Sequence, residues 1–406
     1  MSDTVGVMII GLKGAVATTL VAAGIVARRG SDISFRLPSD QDPVFCDLEL
    51  TPLSAMRFGG WDISSSTLSE SLAYHRVLSQ DIIDQIEPDL DSVWSRPGAY
   101  LHPTPIHGAL DQHAQTPQRI QSLREITSRL RRDLSDFKRE ANVSSVVVLD
   151  LSSTARPLAD SPIQHDIEAF EHLLDSPIAE SLAHNVISAG NLYAYAAIRE
   201  GCPCVNFTPS TTFDLPALIA LAEQERVPLC GKDGKTGQTL YKTALAPLFK
   251  QRALRVRGWY STNILGNRDG EVLDQPDHRQ TKIESKKSVL SELLGEDDLD
   301  HQVHIHYYKP RGDAKEAWDN IDFEGWFGVP MQMKINWLGS DSILAAPLAA
   351  DLVRWMVYFH QRDEGGVVSE LASYFKSPLK FQNHDFFEQV TALHDLIITH
   401  QYSRES

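Results

Sequence analysis

Residues 227–239 read VPLCGKDGKTGQT, and the rest of the chain is best read outward from this stretch. A short apolar run, Val227 to Cys230, leads into Gly231–Thr239, where three glycines, two lysines, an aspartate and hydroxyl and amide donors follow one another. Glycine lets the backbone turn tightly and approach a ligand, so backbone N–H groups and cationic side chains are able to converge on one anion. A helix-compatible stretch begins at Leu240, completing the strand, glycine-rich loop and helix order that phosphate sites favour. Gly234-Lys235-Thr236 imitates the end of a nucleotide triphosphatase loop. That motif needs a glycine five residues before Gly234, and Leu229 stands there. By itself the loop reads either as a phosphate site or as a polar surface turn.

The N-terminus repeats the same order. Val5 to Ile10 is apolar, Gly11-Leu-Lys-Gly14-Ala15-Val-Ala17-Thr18 turns, and a helical pattern runs to about Arg28. In a dinucleotide fold such glycines admit a pyrophosphate to a helix N-terminus. Lys13 occupies the usual second glycine and Ala17 the third place, so a nucleotide site and a plain βα turn both remain open. No acidic residue stands about 20 residues further on. Asp62, in GGWDIS at 59–64, is the better ribose partner, or else a cap for a helix over Leu68 to Ile86.

Further along, Pro88 to Gln118 reads as an extended loop and Gln118 to Glu140 as a charged, solvent-facing helix. The β-branched run Val143 to Leu151 suits a buried parallel strand ending in Ser152-Ser153-Thr154. Helices over Ile163 to His184 and Asn191 to Glu200 and a strand Cys204 to Phe207, followed by Thr208-Pro-Ser210, continue the alternation. Small polar residues recur at strand ends, where open α/β sheets place ligand contacts. After Thr239 the pattern changes: Arg255 to Leu265, Val303 to Tyr308 and Met331 to Trp337 read as strands, the last with Met331, Met333, Ile335 and Trp337 on one face. From Asp341 a helix to His360 returns to the first style. The expected fold is α/β, with residues 1–238 and 341–406 forming one domain and 239–340 inserted between them.

Composition bounds the function. A formal net charge of −16 over 406 residues argues against nucleic acid or an anionic membrane as partner. Four unevenly spaced cysteines do not make a disulfide framework and fit a reducing cytoplasm. No charged leader opens the chain, and no apolar run is expected to reach the length of a spanning helix. His301, His304 and His306 do not make a metal site on a strand, because His301 falls on the opposite face.

Four lysines stand in unusual company. Lys282 and Lys286 are four apart in TKIESKK, Lys315 follows Gly312-Asp313, and Lys376 lies in the apolar SYFKSPL. Each is an ordinary surface lysine by itself; together they offer cations for a phosphate and an ammonium able to exchange protons, positioned by Asp313 and Asp341.

These segments, in this order, resemble the myo-inositol-1-phosphate synthase family from Val5 to about Leu379. The likeness rests on GGWDIS, GKDGKTGQT, the Asn263-Ile-Leu-Gly-Asn267-Arg-Asp-Gly segment, Lys282 with Lys286, GDAK at 312–315, DSILAAPLAADL at 341–352 and SYFKSPL at 373–379. The resemblance implies a Rossmann-like NAD domain built from both chain ends and an inserted α+β catalytic and oligomerisation domain, assembled as a homotetramer. It implies NAD-dependent cyclisation of D-glucose 6-phosphate by oxidation at C5, aldol closure from C6 to C1, and reduction, with a monovalent or divalent cation left unassigned. By that likeness Gly11, Gly14, Ala15, Thr18, Asp62, Ser153, Asp233 and Asn263 hold NAD. Thr236, Gly237, Gln238 and Thr239 hold the phosphate with Lys286. Lys282, Lys315 and Lys376 handle protons and the developing oxyanion, supported by Lys286, Asn267, Asp313 and Asp341.

The chain departs from the family at Lys13 and Ala17 in the first loop, and at Lys232 and Gly234, which replace an acid and an aromatic. It resembles the shorter prokaryotic form. Three alternatives stay open: a relative closing a five-membered ring from fructose 6-phosphate, a sugar-phosphate dehydrogenase that does not cyclise, and a nucleotide-sensing protein without catalysis.

Overall fold

The computed structural model describes residues 4–30, 35–99, 101, 122–176, 185–266, 290–296 and 298–405. Its strands are β1 (Val5–Ile10), β2 (Met56–Asp62), β3 (Trp94–Pro97), β4 (Ser145–Asp150), β5 (Cys204–Asn206), β6 (Pro228–Gly231), β7 (Arg255–Leu265), β8 (Asp300–Tyr307), β9 (Ala314–Glu324), β10 (Pro330–Ser340) and β11 (Gly366–Val367). Seven of them form a parallel sheet in the order β11-β6-β5-β4-β1-β2-β3. The run VGVMII is buried on both faces, as a central parallel strand must be. Val5, Val7 and Ile9 pack with the helices Ala15–Arg28 and Asp341–His360, whereas Met8 and Ile10 face the helices Leu123–Glu140 and Ala189–Arg199. The period-2 alternation of one strand thus divides the core into two layers.

β1 is flanked by β2 and β4, and Ile10 lies in register with both Trp61 and Asp150. Chain order reverses at this point, so the carboxyl ends of these strands open a crevice of the kind in which α/β sheets bind ligands.

β7 to β10 make a second sheet in the order β10-β9-β7-β8, antiparallel except for the β7/β8 pair. After it, Asp341–His360 runs back under the first sheet and the chain adds β11 beside β6. On β10 the expected alternation holds at Met333, Ile335 and Trp337, half-buried against exposed Gln332, Lys334 and Asn336, but Met331 is exposed near the hairpin tip.

Several local expectations are corrected. The helix expected over Leu68 to Ile86 is two helices, Leu68–His75 and Gln80–Asp91, because Arg76 turns left-handed at φ 55°, and its cap is Thr67 with Glu70, not Asp62. The loop expected from Pro88 carries the end of that second helix and β3. Among the described residues one helix, Asp341–His360, is long and apolar enough to cross a membrane, contrary to the sequence expectation; 78% of its apolar 18-residue window is buried in the fold, so its apolar surface is spent on the core.

Candidate active site

The crevice at the ends of β1, β2 and β4 is a cleft of about 1000 Å³ whose walls include Gly11, Gly14, Ala15, Asp62, Ser64, Ser153 and Tyr193. Gly11 has φ +82°, and a Cβ there would lie 2.9 Å from the Ser152 Cα, so only glycine lets the turn pass this close to the β4 end. Gly14 caps the helix Ala15–Arg28 without a side-chain hydrogen bond, leaving that N-terminus to a ligand. Asp62 ties the two turns together: its Oδ2 accepts the Lys13 N–H at 2.8 Å and its Oδ1 the Ser64 N–H at 2.8 Å. The Lys13 ammonium donates to the Ser64 carbonyl at 2.7 Å. Partial burial lowers its pKa, while Asp62 and Glu70 draw it upward. A glycine turn, an uncapped helix start and an acid beside them are the donor set that a dinucleotide needs.

The glycine-rich loop is divided into a framework half and an open half. Lys232 N–H donates to the Ser377 carbonyl, Asp233 N–H to Thr208, Gly234 N–H to Phe207 and Lys235 N–H to Tyr374, at 2.8 to 3.0 Å. In return Lys376 N–H donates to the Asp233 carbonyl at 2.7 Å and Leu379 N–H to Gly231 at 2.8 Å. The loop is therefore stitched along SYFKSPL. The four N–H groups from Lys232 to Lys235, expected to help hold an anion, are spent on protein neighbours. The loop's two lysines are likewise engaged elsewhere: Lys232 Nζ with Asp214 at 2.6 Å and Lys235 Nζ with Gln389 at 2.7 Å. Gly234 leaves room for an aromatic supplied from just after β5, since a Cβ there would meet the Phe207 ring at 2.2 Å.

From Thr236 the loop opens. Gly237 caps the helix Gln238–Gln251 with no side-chain partner. A Cβ on Gly237 would lie 3.1 Å from the Lys315 Nζ. Lys315 Nζ in turn reaches Asp341 Oδ1 at 3.2 Å, and Thr236 Oγ1 donates to the same oxygen at 3.2 Å. Lys376 Nζ pairs with Asp233 Oδ1 at 2.7 Å. Burial would raise the Asp341 carboxyl, but the Lys315 and Lys376 ammonium groups and the hydrogen bonds from Lys315 and Thr236 hold it below the ordinary aspartate value. Asp341 and Ser342 also line this cleft, so an uncapped helix start, two lysines and a carboxylate meet its edge. Such an arrangement is chemically able to hold an anion and to stabilise negative charge beside it.

The structure divides the expected residues. It brings Lys315, Lys376, Asp341, Asp233, Thr236 and Gly237 together, and Gly11, Gly14, Ala15, Asp62 and Ser153 around the cleft. Thr18 is fully buried and its hydroxyl bonds the Gly14 carbonyl at 2.9 Å, so it faces its own helix rather than the cleft. Asp233, expected at NAD, pairs with Lys376 instead. Asn263 lies beneath the loop, donating to the Gln238 side chain, away from the cleft walls. Gln238 turns its amide inward to Asp319, leaving only its backbone on the loop side. Asp313 holds the start of the helix Asp341–His360 through Ser340 and Ser342. Lys282, Lys286 and Asn267 lie outside the described residues. His301 bonds the Lys242 ammonium at 2.9 Å, while His304 and His306 stack on one face.

Two anchors were missed from sequence. Gln389 of the helix Phe386–Glu405 holds Lys235. Asp351 accepts the Tyr374 hydroxyl at 2.5 Å, two residues before Lys376. A buried acid inside the apolar run DSILAAPLAADL was the available signal for the latter.

The chain is similar to known proteins along most of its length. The sequence model of the myo-inositol-1-phosphate synthase family, an NAD-binding family, matches residues 5–397. The chain is 39% identical to inositol-3-phosphate synthase 1 of Bacteroides thetaiotaomicron, covering 96% of this chain and 92% of that one. It is 29% identical to inositol-3-phosphate synthase of Saccharomyces cerevisiae, over 86% and 73% respectively. The crystal structure of inositol-3-phosphate synthase from Caenorhabditis elegans shares the fold, with TM-score 0.84 at 23% identity, covering 98% of this chain and 86% of that one. With the family model matched over nearly its whole length and a relative of such identity along it, this chain belongs to the myo-inositol-1-phosphate synthase family.

Proposed function

We propose that the protein converts D-glucose 6-phosphate to 1L-myo-inositol 1-phosphate, using NAD without net consumption. The observation that carries this reading is the Lys315–Asp341 pair, which stands between the open end of the glycine-rich loop and the edge of the dinucleotide cleft. When bound, NAD supplies reversible hydride acceptance, here from C5 of the open-chain sugar. Gly11, Gly14, Ala15, Asp62 and Ser153 would hold it; Asn263, Thr18 and Asp233 are better assigned to framework or substrate side. The phosphate would sit on the N–H groups of Thr236 to Thr239 at the helix start, together with Lys286.

The residues of this chain then have distinct tasks. Oxidation at C5 releases the hydroxyl proton; Lys376 would take it as the neutral amine and then carry it as the ammonium that pairs with Asp233, returning it when C5 is reduced. The ketone acidifies C6; its proton leaves, the carbanion attacks the C1 aldehyde, and the proton ends on the new C1 hydroxyl by way of a lysine amine, while Lys315 and Lys282 stabilise the oxyanions in between. Asp341, kept ionised between two lysines, holds their ammonium groups in place. Asp313 fixes the start of the helix that carries it. Reduction at C5 returns the hydride and closes the cycle.

The test is product identity. The protein is incubated with NAD and either glucose 6-phosphate or fructose 6-phosphate, the product is dephosphorylated, and the cyclitol is identified by NMR. A six-membered inositol from glucose 6-phosphate, without accumulation of NADH, is expected. A five-membered ring, turnover only with fructose 6-phosphate, or NADH formed in step with product would replace this reading.

We further propose a homotetramer in the cytoplasm. The second sheet leaves Tyr260, Trp318 and Leu338 exposed, and the β9–β10 hairpin tip presents Trp326 at 84% and Phe327 at 98% exposure, a surface suited to burial between subunits. Light scattering of the Trp326→Ser/Phe327→Ser variant should report a smaller assembly. The cysteines are unpaired, as in a reducing compartment.

A further inference from the structure

We propose that Asp319 is a positioning residue for the anion-binding half of the glycine-rich loop, acting through Gln238. The inference rests on the reading of Thr236–Thr239 as the phosphate site. Asp319 stands on β9 at 3% exposure, in register with Ser261 of β7. Its carboxylate accepts four hydrogen bonds. Oδ1 takes Trp259 Nε1 at 2.7 Å and Ser261 Oγ at 2.6 Å, both from β7. Oδ2 takes Gln238 Nε2 at 2.8 Å and the Tyr241 hydroxyl at 2.7 Å, both from the first turn of the helix Gln238–Gln251. One buried carboxylate thus clamps the start of that helix to the second sheet.

The clamp fixes which way Gln238 faces. Its Nε2 also approaches the Thr262 carbonyl at 3.3 Å, and its Oε1 accepts from Asn263 Nδ2. With the amide drawn down, the backbone from Gly237 to Thr239 is left on the opposite side, where Gly237 faces Lys315.

A carboxylate suits this place because all four partners donate to it, the Trp259 indole having no alternative. An asparagine keeps one acceptor edge and turns an NH₂ toward the other pair. The Trp259 indole is a donor only, so the acceptor edge stays with Trp259 and Ser261, and the misfit falls on Tyr241 and Gln238. The Tyr241 hydroxyl rotates to accept. Gln238 can accept only by flipping its amide, which loses the Thr262 carbonyl and forces the Asn263 amide to flip with it, so the loop start is the element that shifts.

The experiment compares wild type with Asp319→Asn and Tyr241→Phe. For each it measures kcat and KM for glucose 6-phosphate, inorganic phosphate affinity by calorimetry and NADH affinity by fluorescence. Asp319→Asn is expected to raise KM and weaken phosphate binding about tenfold, with kcat and NADH affinity changed far less, since buried donors left unpaired cost on that scale. Tyr241→Phe removes a single donor, keeps the ring against Trp337, and should shift the same two quantities about threefold in the same direction. If Asp319→Asn does not fold, Tyr241→Phe decides. Wild-type phosphate affinity and KM in a folded Asp319→Asn, or in Tyr241→Phe, overturn the proposal, as does an equal loss of NADH affinity. Should the wild type not turn over glucose 6-phosphate, the proposed function fails, and phosphate affinity still decides the role of Asp319.

Discussion

Lys315 Nζ lies 3.2 Å from Asp341 Oδ1, so a cation from the start of β9 and an anion from the first turn of the helix Asp341–His360 meet at the junction of the two sheets. The same carboxyl also feels Lys376, which comes from the segment stitched to the glycine-rich loop. Replacing Lys315 or Lys376 by methionine keeps the stem and removes the charge. Each variant is expected to lose about 10²- to 10³-fold in kcat, the scale on which oxyanion donors act, with NADH affinity preserved. Turnover near the wild-type rate in either would take that lysine out of the chemistry.

Gly237 gives a separate handle on the same place. A valine there puts a Cβ 3.1 Å from the Lys315 Nζ and Cε, the movable end of a side chain, rather than against backbone. The fold should tolerate it while the phosphate and Lys315 do not. We expect Gly237→Val to reduce kcat/KM about 10²-fold, mostly through KM for the sugar phosphate, because a displaced positioning group costs on that order. A large fall in Tm with unchanged KM would show instead that the glycine serves only the turn.

Asp62 makes the corresponding case for the cleft. Its two oxygens accept one N–H from each of two adjoining turns, Lys13 and Ser64. Asp62→Ala leaves both N–H groups without that acceptor and loosens the wall, so the Kd for NADH should rise about tenfold. KM for glucose 6-phosphate should move less. Fluorescence titration checks this, and an unchanged Kd would exclude Asp62 from the cofactor wall.

The sequence revealed those parts of the molecule in which local pattern and tertiary role coincide. Runs such as VGVMII and VSSVVVLDL carry burial on both faces in their composition, and the small residues after them stand where parallel strands end. Side-chain direction was not legible in the same way. Gln238 and Lys235 sit in a loop whose composition suggests an anion, yet one turns to Asp319 and the other to Gln389, 154 residues further on. Those partners arrive by long-range packing, which no local period encodes. Asp319 itself left a trace, an acid in phase with Ala317 and Ile321 on the buried face of β9, and a buried acid on an apolar face signals a clamp or a site.

Lys235 supplies a prediction about pH. Its side chain is 2% exposed, its Nζ is bonded to the neutral amide of Gln389, and burial pulls its pKa down from 10.5 to about 7. Below pH 7 the lysine is protonated in both the folded and the unfolded chain, and the folded state bears the full cost of burying the cation. Above 10.5 it is neutral in both and the cost is gone. Between these values the unfolded chain binds more protons, so this group adds stability to the fold as pH rises. Lys235→Met has no such proton to lose. The stability of wild type relative to the variant should therefore grow between pH 7 and 10, on the order of 1 kcal/mol for each unit of pH in that window. Denaturant unfolding of both proteins at several pH values measures this difference directly, the titration of groups that do not feel Lys235 cancelling between them; His384, which does, is lowered from an ordinary value of 6.5 and is neutral across this window. A difference that stays flat across the window would mean that Lys235 keeps its charge in the fold, held by Gln389 and by the Phe386 ring 5.7 Å from its nitrogen.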